Sequence, residues 1–114
     1  MIEKTILQYI NKNSEVPCYM EEPINPPKKY YLMEKTGAGQ NDRLFNATLA
    51  IQSYGETMLE AAELSDQIIS LMLNADIPEV TRIRLNSAYN YTDITTKRYR
   101  YQAVFYLIFY RKDY

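Results

Sequence analysis

The sequence predicts an α+β domain, in which two helices cover one face of a mainly antiparallel sheet of four to five strands. Two segments carry apolar residues at helical spacing, and the segments between and after them alternate between apolar and polar side chains. The chain has 114 residues and is 46% hydrophobic, which is enough for one buried core. We therefore expect residues 1–114 to form a single domain.

Two helices are predicted, over residues 2–12 and 57–74. In the first, Ile2, Ile6 and Ile10 recur at helical spacing. The second opens on Thr57-Met-Leu-Glu60, the pattern in which a cap hydroxyl and an N3 carboxylate satisfy backbone N–H groups. Its predicted buried stripe consists of Ala61, Leu64, Ile68, Leu71, Met72 and Ala75, widened by Leu59, Ile69 and Leu73.

The connector after the first helix contains four of the five prolines, so only a short edge strand is predicted there, around residues 16–20. The next predicted strand covers residues 30–36. A loop of about seven residues follows it, because Gly37, Gly39 and the polar residues up to Asp42 tolerate unusual backbone angles. Clean alternation from Phe45 onward then predicts a half-buried strand, and the two strands form a hairpin whose tip projects from the domain.

The last third of the chain predicts an antiparallel pair of strands. After Pro78, Ile83 and Leu85 alternate with polar residues, and the final strand covers residues 99–111. One face of that strand carries Tyr101, Ala103, Phe105, Leu107 and Phe109.

Composition argues against several classes of function. Histidine is absent, and Cys18 is the one cysteine, so neither a His-dependent catalytic set nor a disulfide is available within the chain. The net charge of -1 provides no general field for nucleic acid. The longest apolar stretch, residues 103–110, is too short for a membrane helix, and no leader pattern is seen. We therefore expect a protein made in the cytosol that is not an enzyme and uses no cofactor, metal or membrane.

Three motifs contain residue types that occur in reactive sites, but none fits such a site. Gly37-Ala-Gly39 lacks the third glycine or the Gly-Lys-Ser/Thr of a phosphate loop, and it leads into a strand. The carboxylate pairs Glu21–Glu22 and Glu60–Glu63 are interpreted as solvated surface, the second without a nearby basic partner.

The chain contains twelve tyrosines, and seven of them occur from Tyr89 onward. Together with the basic residues Arg82, Arg84, Lys97, Arg98, Arg100 and Arg111, they could form a stacking platform for single-stranded nucleic acid. Tyrosine is equally favoured in strands and in protein interfaces, and this sheet has more aromatic bulk than one core requires. The stronger interpretation is a second buried surface that includes Tyr89 and Tyr91 and is made with other subunits.

Three segments carry a resemblance to a known family. They are Glu34-Lys-Thr-Gly-Ala-Gly-Gln-Asn-Asp-Arg43, Ala47-Thr-Leu-Ala-Ile-Gln-Ser-Tyr-Gly-Glu-Thr57 and Glu60-Ala-Ala-Glu-Leu64. This pattern resembles the small tail-terminator and tail-completion proteins of long-tailed bacteriophages, in which a Thr-Gly-Gly-like loop is followed by an Ile-Gln-aromatic strand and a Thr-capped helix. Here Tyr54 holds the aromatic position, and Ala38 separates the two glycines.

The resemblance implies a structural subunit without catalytic residues. Such a subunit forms a homo-oligomeric ring, hexameric in the family, that caps the tail tube and joins it to the head connector. It would be assembled in the cytoplasm of the host bacterium and become part of the virion, with at most non-specific contact with passing DNA. Alternatives are another neck component docking on the portal or adaptor ring, and a nucleic-acid-binding domain. The predicted assembly interface comprises Gly37, Gly39, Gln40, Asn41, Asp42, Arg43, Tyr89 and Tyr91.

Overall fold

A computed structural model describes residues 1–110 of the chain, so Arg111, predicted to end the last strand, lies outside the described part. The fold has two helices and a five-stranded sheet, which confirms the predicted α+β class. The elements are α1 (Ile2–Asn13), β1 (Cys18–Tyr19), β2 (Tyr30–Asn41), β3 (Leu44–Tyr54), α2 (Met58–Leu73), β4 (Val80–Asn90) and β5 (Arg100–Tyr110).

The strand order in the sheet is β1-β2-β3-β5-β4. The two-residue strand β1 runs parallel to β2, and every other neighbouring pair is antiparallel. Because β1 covers only Tyr31 and Leu32, most of β2 forms one edge of the sheet, and β4 forms the other. β1 is the short edge strand predicted around residues 16–20, so that prediction is confirmed.

The core lies between the two helices and one face of the sheet, called here the inner face. Ile6 and Ile10 of α1 and Ile68 of α2 are fully buried against the strands. The inner face contributes Tyr31, Met33, Ala47, Leu49, Ile51, Ala103, Phe105 and Leu107, as the alternation predicted for β3 and β5. The opposite, outer face of the sheet lies away from both helices.

The start of α2 is fixed by the predicted cap. The Glu60 amide donates to Thr57 Oγ1 at 3.1 Å, while the Glu60 carboxylate accepts from the Glu56 amide at 2.8 Å. Thr57 is therefore the N-cap, although the carboxylate reaches back one residue further than the capping pattern predicts. This cap and Gly55 join α2 directly to the end of β3.

The predicted loop at Gly37 is wrong. Gly37, Gly39, Gln40 and Asn41 belong to β2 and pair with residues 44–48 of β3, so Asp42 and Arg43 alone form the turn. A register shift between Lys35 and Gly37 absorbs one extra residue. Cross-strand pairing supplies the backbone hydrogen bonds here, and this tertiary contact overrides the low strand propensity of glycine.

Part of the predicted helix stripe is also wrong. Leu59 is 70% exposed and Leu73 is 46% exposed, while Leu71 is only half-buried. At about 100° per residue, Leu59 lies on the opposite side of α2 from the centre of the buried group. The residues of α2 that are buried are Ala61, Leu64, Ser65, Ile68 and Met72.

Candidate assembly surfaces

The predicted interface residues lie at two opposite ends of the sheet. Asn41 pairs with Leu44, and Leu44 pairs with Tyr110, which ends β5. Tyr91 donates its amide to the carbonyl of Arg100, which begins β5. At about 3.3 Å per residue, the two groups are separated by roughly 30 Å along the strands. They therefore form two surfaces of one chain, the hairpin end (residues 37–43) and the tyrosine end (residues 87–91).

The hairpin end is an extended, mostly exposed strand pair. Residues 38–44 are all exposed, and Gly37 is half-exposed. Asp42 adopts the left-handed backbone conformation with φ 57, and its carbonyl accepts a hydrogen bond from Gln40 Nε2 at 3.0 Å. Asp and Asn tolerate this conformation better than other non-glycine residues, which fits Asp42 at the turn.

The tyrosine end presents two rings on the outer face. Tyr89 and Tyr91 are 41% and 43% exposed and meet edge to face, with ring centroids 6.0 Å apart. The Arg100 guanidinium lies 4.6 Å from the centroid of the Tyr91 ring, and the Gln102 amide donates to the Tyr89 hydroxyl. The rings are thus held in place while a large part of each stays accessible.

Next to the tyrosine end lies a polar cluster that the sequence analysis missed. The Glu22 carboxylate accepts hydrogen bonds from the Tyr30 hydroxyl and the Arg98 guanidinium. Arg98 also lies 4.8 Å above the ring of Tyr54, whose hydroxyl accepts from Arg100 at 2.9 Å. The prediction that Glu22 is only solvated surface is therefore wrong.

The sequence offered no signal for this cluster, because its members lie far apart along the chain. Glu22 is in the proline-rich connector, and Arg98 is in the segment between β4 and β5. Only the pairing of β2, β3 and β5 brings the two segments to the same end of the outer face.

Glu22 is the carboxylate that this cluster affects most directly. Partial burial opposes its ionisation, but hydrogen bonds from Tyr30 and Arg98 outweigh burial and lower the pKa of the carboxyl. Burial, followed by the hydrogen bond to Glu22, raises the pKa of the Tyr30 hydroxyl. The cluster therefore contains a carboxylate and a neutral phenol at neutral pH.

The lone thiol is unlike a reactive cysteine. Cys18 is 3% exposed, and burial raises the pKa of its thiol to about 12. Its backbone is fixed by Asn11, whose side-chain amide donates to the Cys18 carbonyl at 3.0 Å and accepts from its N–H at 2.8 Å. Cys18 is thus a core residue that anchors β1 to α1.

A second carboxylate has a partner that the sequence analysis did not predict. The Glu60 carboxylate lies 3.4 Å from the Lys29 ammonium. Glu63, the other member of the pair, is exposed on α2. Glu60 therefore belongs to the helix start and to a surface ion pair, whereas Glu63 lies on the solvated surface, as predicted.

Three of the six basic residues of the possible nucleic-acid platform contact aromatic rings of the same chain. Arg84 lies 5.1 Å from the centroid of Tyr106, and Arg98 and Arg100 lie near Tyr54. Arg98 is also paired with the Glu22 carboxylate. These contacts reduce both the positive charge and the ring surface left for bases and phosphates.

Comparison of the chain with models of protein families finds no match, and a search of curated proteins finds none at a significant level. Among residues 1–110, no helix is both long and apolar enough to cross a membrane. The same part of the chain contains no group of three or more Cys, Asp or Glu side chains placed to hold a metal ion.

Proposed function

We propose that this chain is a structural virion assembly protein, a subunit of a ring that caps a phage tail tube and joins it to the head connector. One observation carries the proposal: the domain has two different exposed surfaces, at opposite ends of its sheet. A surface that binds a different surface on the next copy makes a head-to-tail contact, which closes into a ring when the rotation between copies closes.

Three further features support an assembly role. The domain is elongated, with principal extents of 44 × 24 × 24 Å. The hairpin end is an exposed segment with polar groups. The tyrosine end carries aromatic rings of the kind enriched in protein interfaces. The segments that resemble tail terminators, between Glu34 and Leu64, lie in the second part of β2, the following turn, most of β3 and the first part of α2, and they include the hairpin end.

A related candidate is another neck component that docks on the portal or adaptor ring. It would use the same two surfaces and differ only in the neighbouring protein. Co-purification distinguishes the two, because a terminator is recovered with tail tubes and a neck component with the portal.

The test combines gene context with loss of the protein. We expect the genome that encodes this chain to carry genes for a major tail protein and a tape-measure protein close by. Deleting the gene should yield tails of abnormal length and heads without tails in negative-stain micrographs, and supplying the chain in trans should restore complete particles. Normal particles after deletion would contradict the proposal.

A further inference from the structure

We infer that residues 87–91 of one copy pair with residues 37–41 of the next, as antiparallel strands that continue the sheet from subunit to subunit. The partner is thus a second copy of this chain, and the contact joins the tyrosine end to the hairpin end. The inference rests on the proposed assembly into a ring and specifies which backbone segments meet there.

The first step concerns how the two edges of the sheet are protected. Exposed strand edges attract other strands, and proteins block them with charges, prolines or bulges. The first half of β2 has Glu34, Lys35 and a register shift, and most of β4 has Arg82, Arg84 and two register shifts. These devices are missing from Gly-Ala-Gly-Gln-Asn at positions 37–41 and from Ser-Ala-Tyr-Asn-Tyr at positions 87–91.

The second step concerns access. Residues 86–91 and 38–41 are exposed, and both segments lie on the outermost strands of the sheet. β1 covers only Tyr31 and Leu32, so it leaves residues 37–41 of β2 open along their free edge. Each segment is therefore an available template of backbone N–H and C=O groups.

The third step concerns polarity. β4 runs parallel to β3, because both are antiparallel to β5, and β2 runs antiparallel to β3. A second copy placed beside β4 in the same orientation therefore presents its β2 in the antiparallel direction. The two segments lie at opposite ends of the sheet, so each copy is displaced along the strand direction relative to its neighbour. When a staggered sheet of this kind closes into a ring, its strands are inclined to the ring axis.

The fourth step concerns shape. Tyr89 and Tyr91 point to the outer face, as their outer-face partners Gln102 and Arg100 show. Gly37 and Gly39 pair with the outer-face residues Thr48 and Asn46, so the outer face of β2 has no side chains at these two positions. In the continued sheet the Tyr91 ring of one copy lies over Gly37 of the next, where the nearest side-chain atom to an added Cβ is 3.7 Å away. The Tyr89 ring lies over Gly39, where the Asn46 side chain already fills part of the space and has to turn aside.

Cysteine cross-linking of the full chain tests this pairing. Opposed residues of antiparallel strands have Cα separations of about 4.5–5.5 Å, which suits a disulfide. The variants G37C/Y91C, G37C/Y89C and G39C/Y91C sample three registers, and the native Cys18 is buried and does not compete. At Gly37 an added Cβ would make only ordinary contacts with Thr48, at 3.7 Å and beyond, so the fold should tolerate the change.

We expect one of the three variants to form a ladder of cross-linked dimers, trimers and higher species under mild oxidation. The control G37C/Q67C, whose second cysteine lies on the exposed side of α2, should form none. Because the two cysteines of each test pair lie at opposite ends of one chain, the disulfide can only join different copies.

Other outcomes overturn the inference in distinguishable ways. If sedimentation shows that the wild-type chain assembles while all three pairs fail to cross-link, the edge pairing is wrong and the ring proposal stands. If G37C alone gives dimers as efficiently as the pairs, two β2 edges meet symmetrically and the head-to-tail contact is wrong. If the wild-type chain does not assemble at all, even with tail tubes present, the proposed function fails together with this contact.

Discussion

Tyr30 and Tyr54 stack face to face across β2 and β3, with ring centroids 4.5 Å apart and ring planes within 4° of parallel. Both rings are almost completely buried, although they lie on the outer face, because Arg98 and the connector cover them. This pair fixes the proline-rich connector to the sheet and thereby shapes the surface beside the tyrosine end.

Replacing Tyr54 by Leu should lower the free energy of unfolding by more than about 1 kcal/mol, because it removes the stacked ring and its contacts with Arg98 and Arg100. Urea denaturation measures the change. The control Tyr89→Leu, at an exposed ring, should cost clearly less; equal losses would mean that the stacked pair contributes little.

The Glu22–Arg98 pair predicts a pH dependence. Because the pKa of Glu22 is lower in the folded chain than its usual value of 4.5, the ionised carboxylate stabilises the fold above that pH. This contribution is lost as the pH falls through the folded-state pKa. Glu22→Gln should therefore lower the melting temperature at pH 7, and the difference from wild type should shrink toward pH 3. Glu21→Gln is the control, and a pH-independent difference would contradict the prediction.

Two of the four leucines of α2, Leu64 and Leu59, should differ sharply in their contribution to stability. Leu64 is 4% exposed, so Leu64→Ala should cost about 2–5 kcal/mol through lost burial and the remaining cavity. Leu59 is exposed, and Leu59→Ala should change the free energy of unfolding by less than about 0.5 kcal/mol. Chemical denaturation of both variants checks the buried side of the helix, and similar losses would show that it is assigned wrongly.

Two glycines provide another matched pair. A Cβ added at Gly55 would lie 2.7 Å from the backbone nitrogen of Ala61. A Cβ added at Gly37 would have the Thr48 side chain as its nearest neighbour, at 3.7 Å. Gly55→Ala should therefore destabilise the fold by about 1–3 kcal/mol, as overpacking does, because backbone cannot move aside cheaply. Gly37→Ala should leave the melting curve close to that of wild type. The reverse order would mean that the turn into α2 is less closely packed than described.

The sequence predicted the fold where one local pattern determines the element. Helical spacing placed α1 and α2, alternation placed β3 and β5, and Thr57 marked the start of α2. The sequence-based prediction failed at Gly37, because residues 37–41 form a strand only through their pairing with β3. Local residue propensity does not reveal such pairing. The prediction also missed the contact of Glu22 with Arg98, which only strand pairing creates between distant segments. The predicted interface residues remain a prediction, and only the sheet topology shows that they lie on two separate surfaces.

The most direct test of the central claim is the mass of the assembly that the full chain forms, measured by native mass spectrometry and by sedimentation with and without tail tubes. We predict a closed ring, of six copies of the 13.4 kDa chain if the resemblance to tail terminators holds, and its loss in the double variant Tyr89→Ala with Tyr91→Ala while the melting curve stays close to that of wild type. A chain that remains monomeric at every concentration and does not bind tubes, or that stops at a symmetric dimer, would contradict head-to-tail assembly.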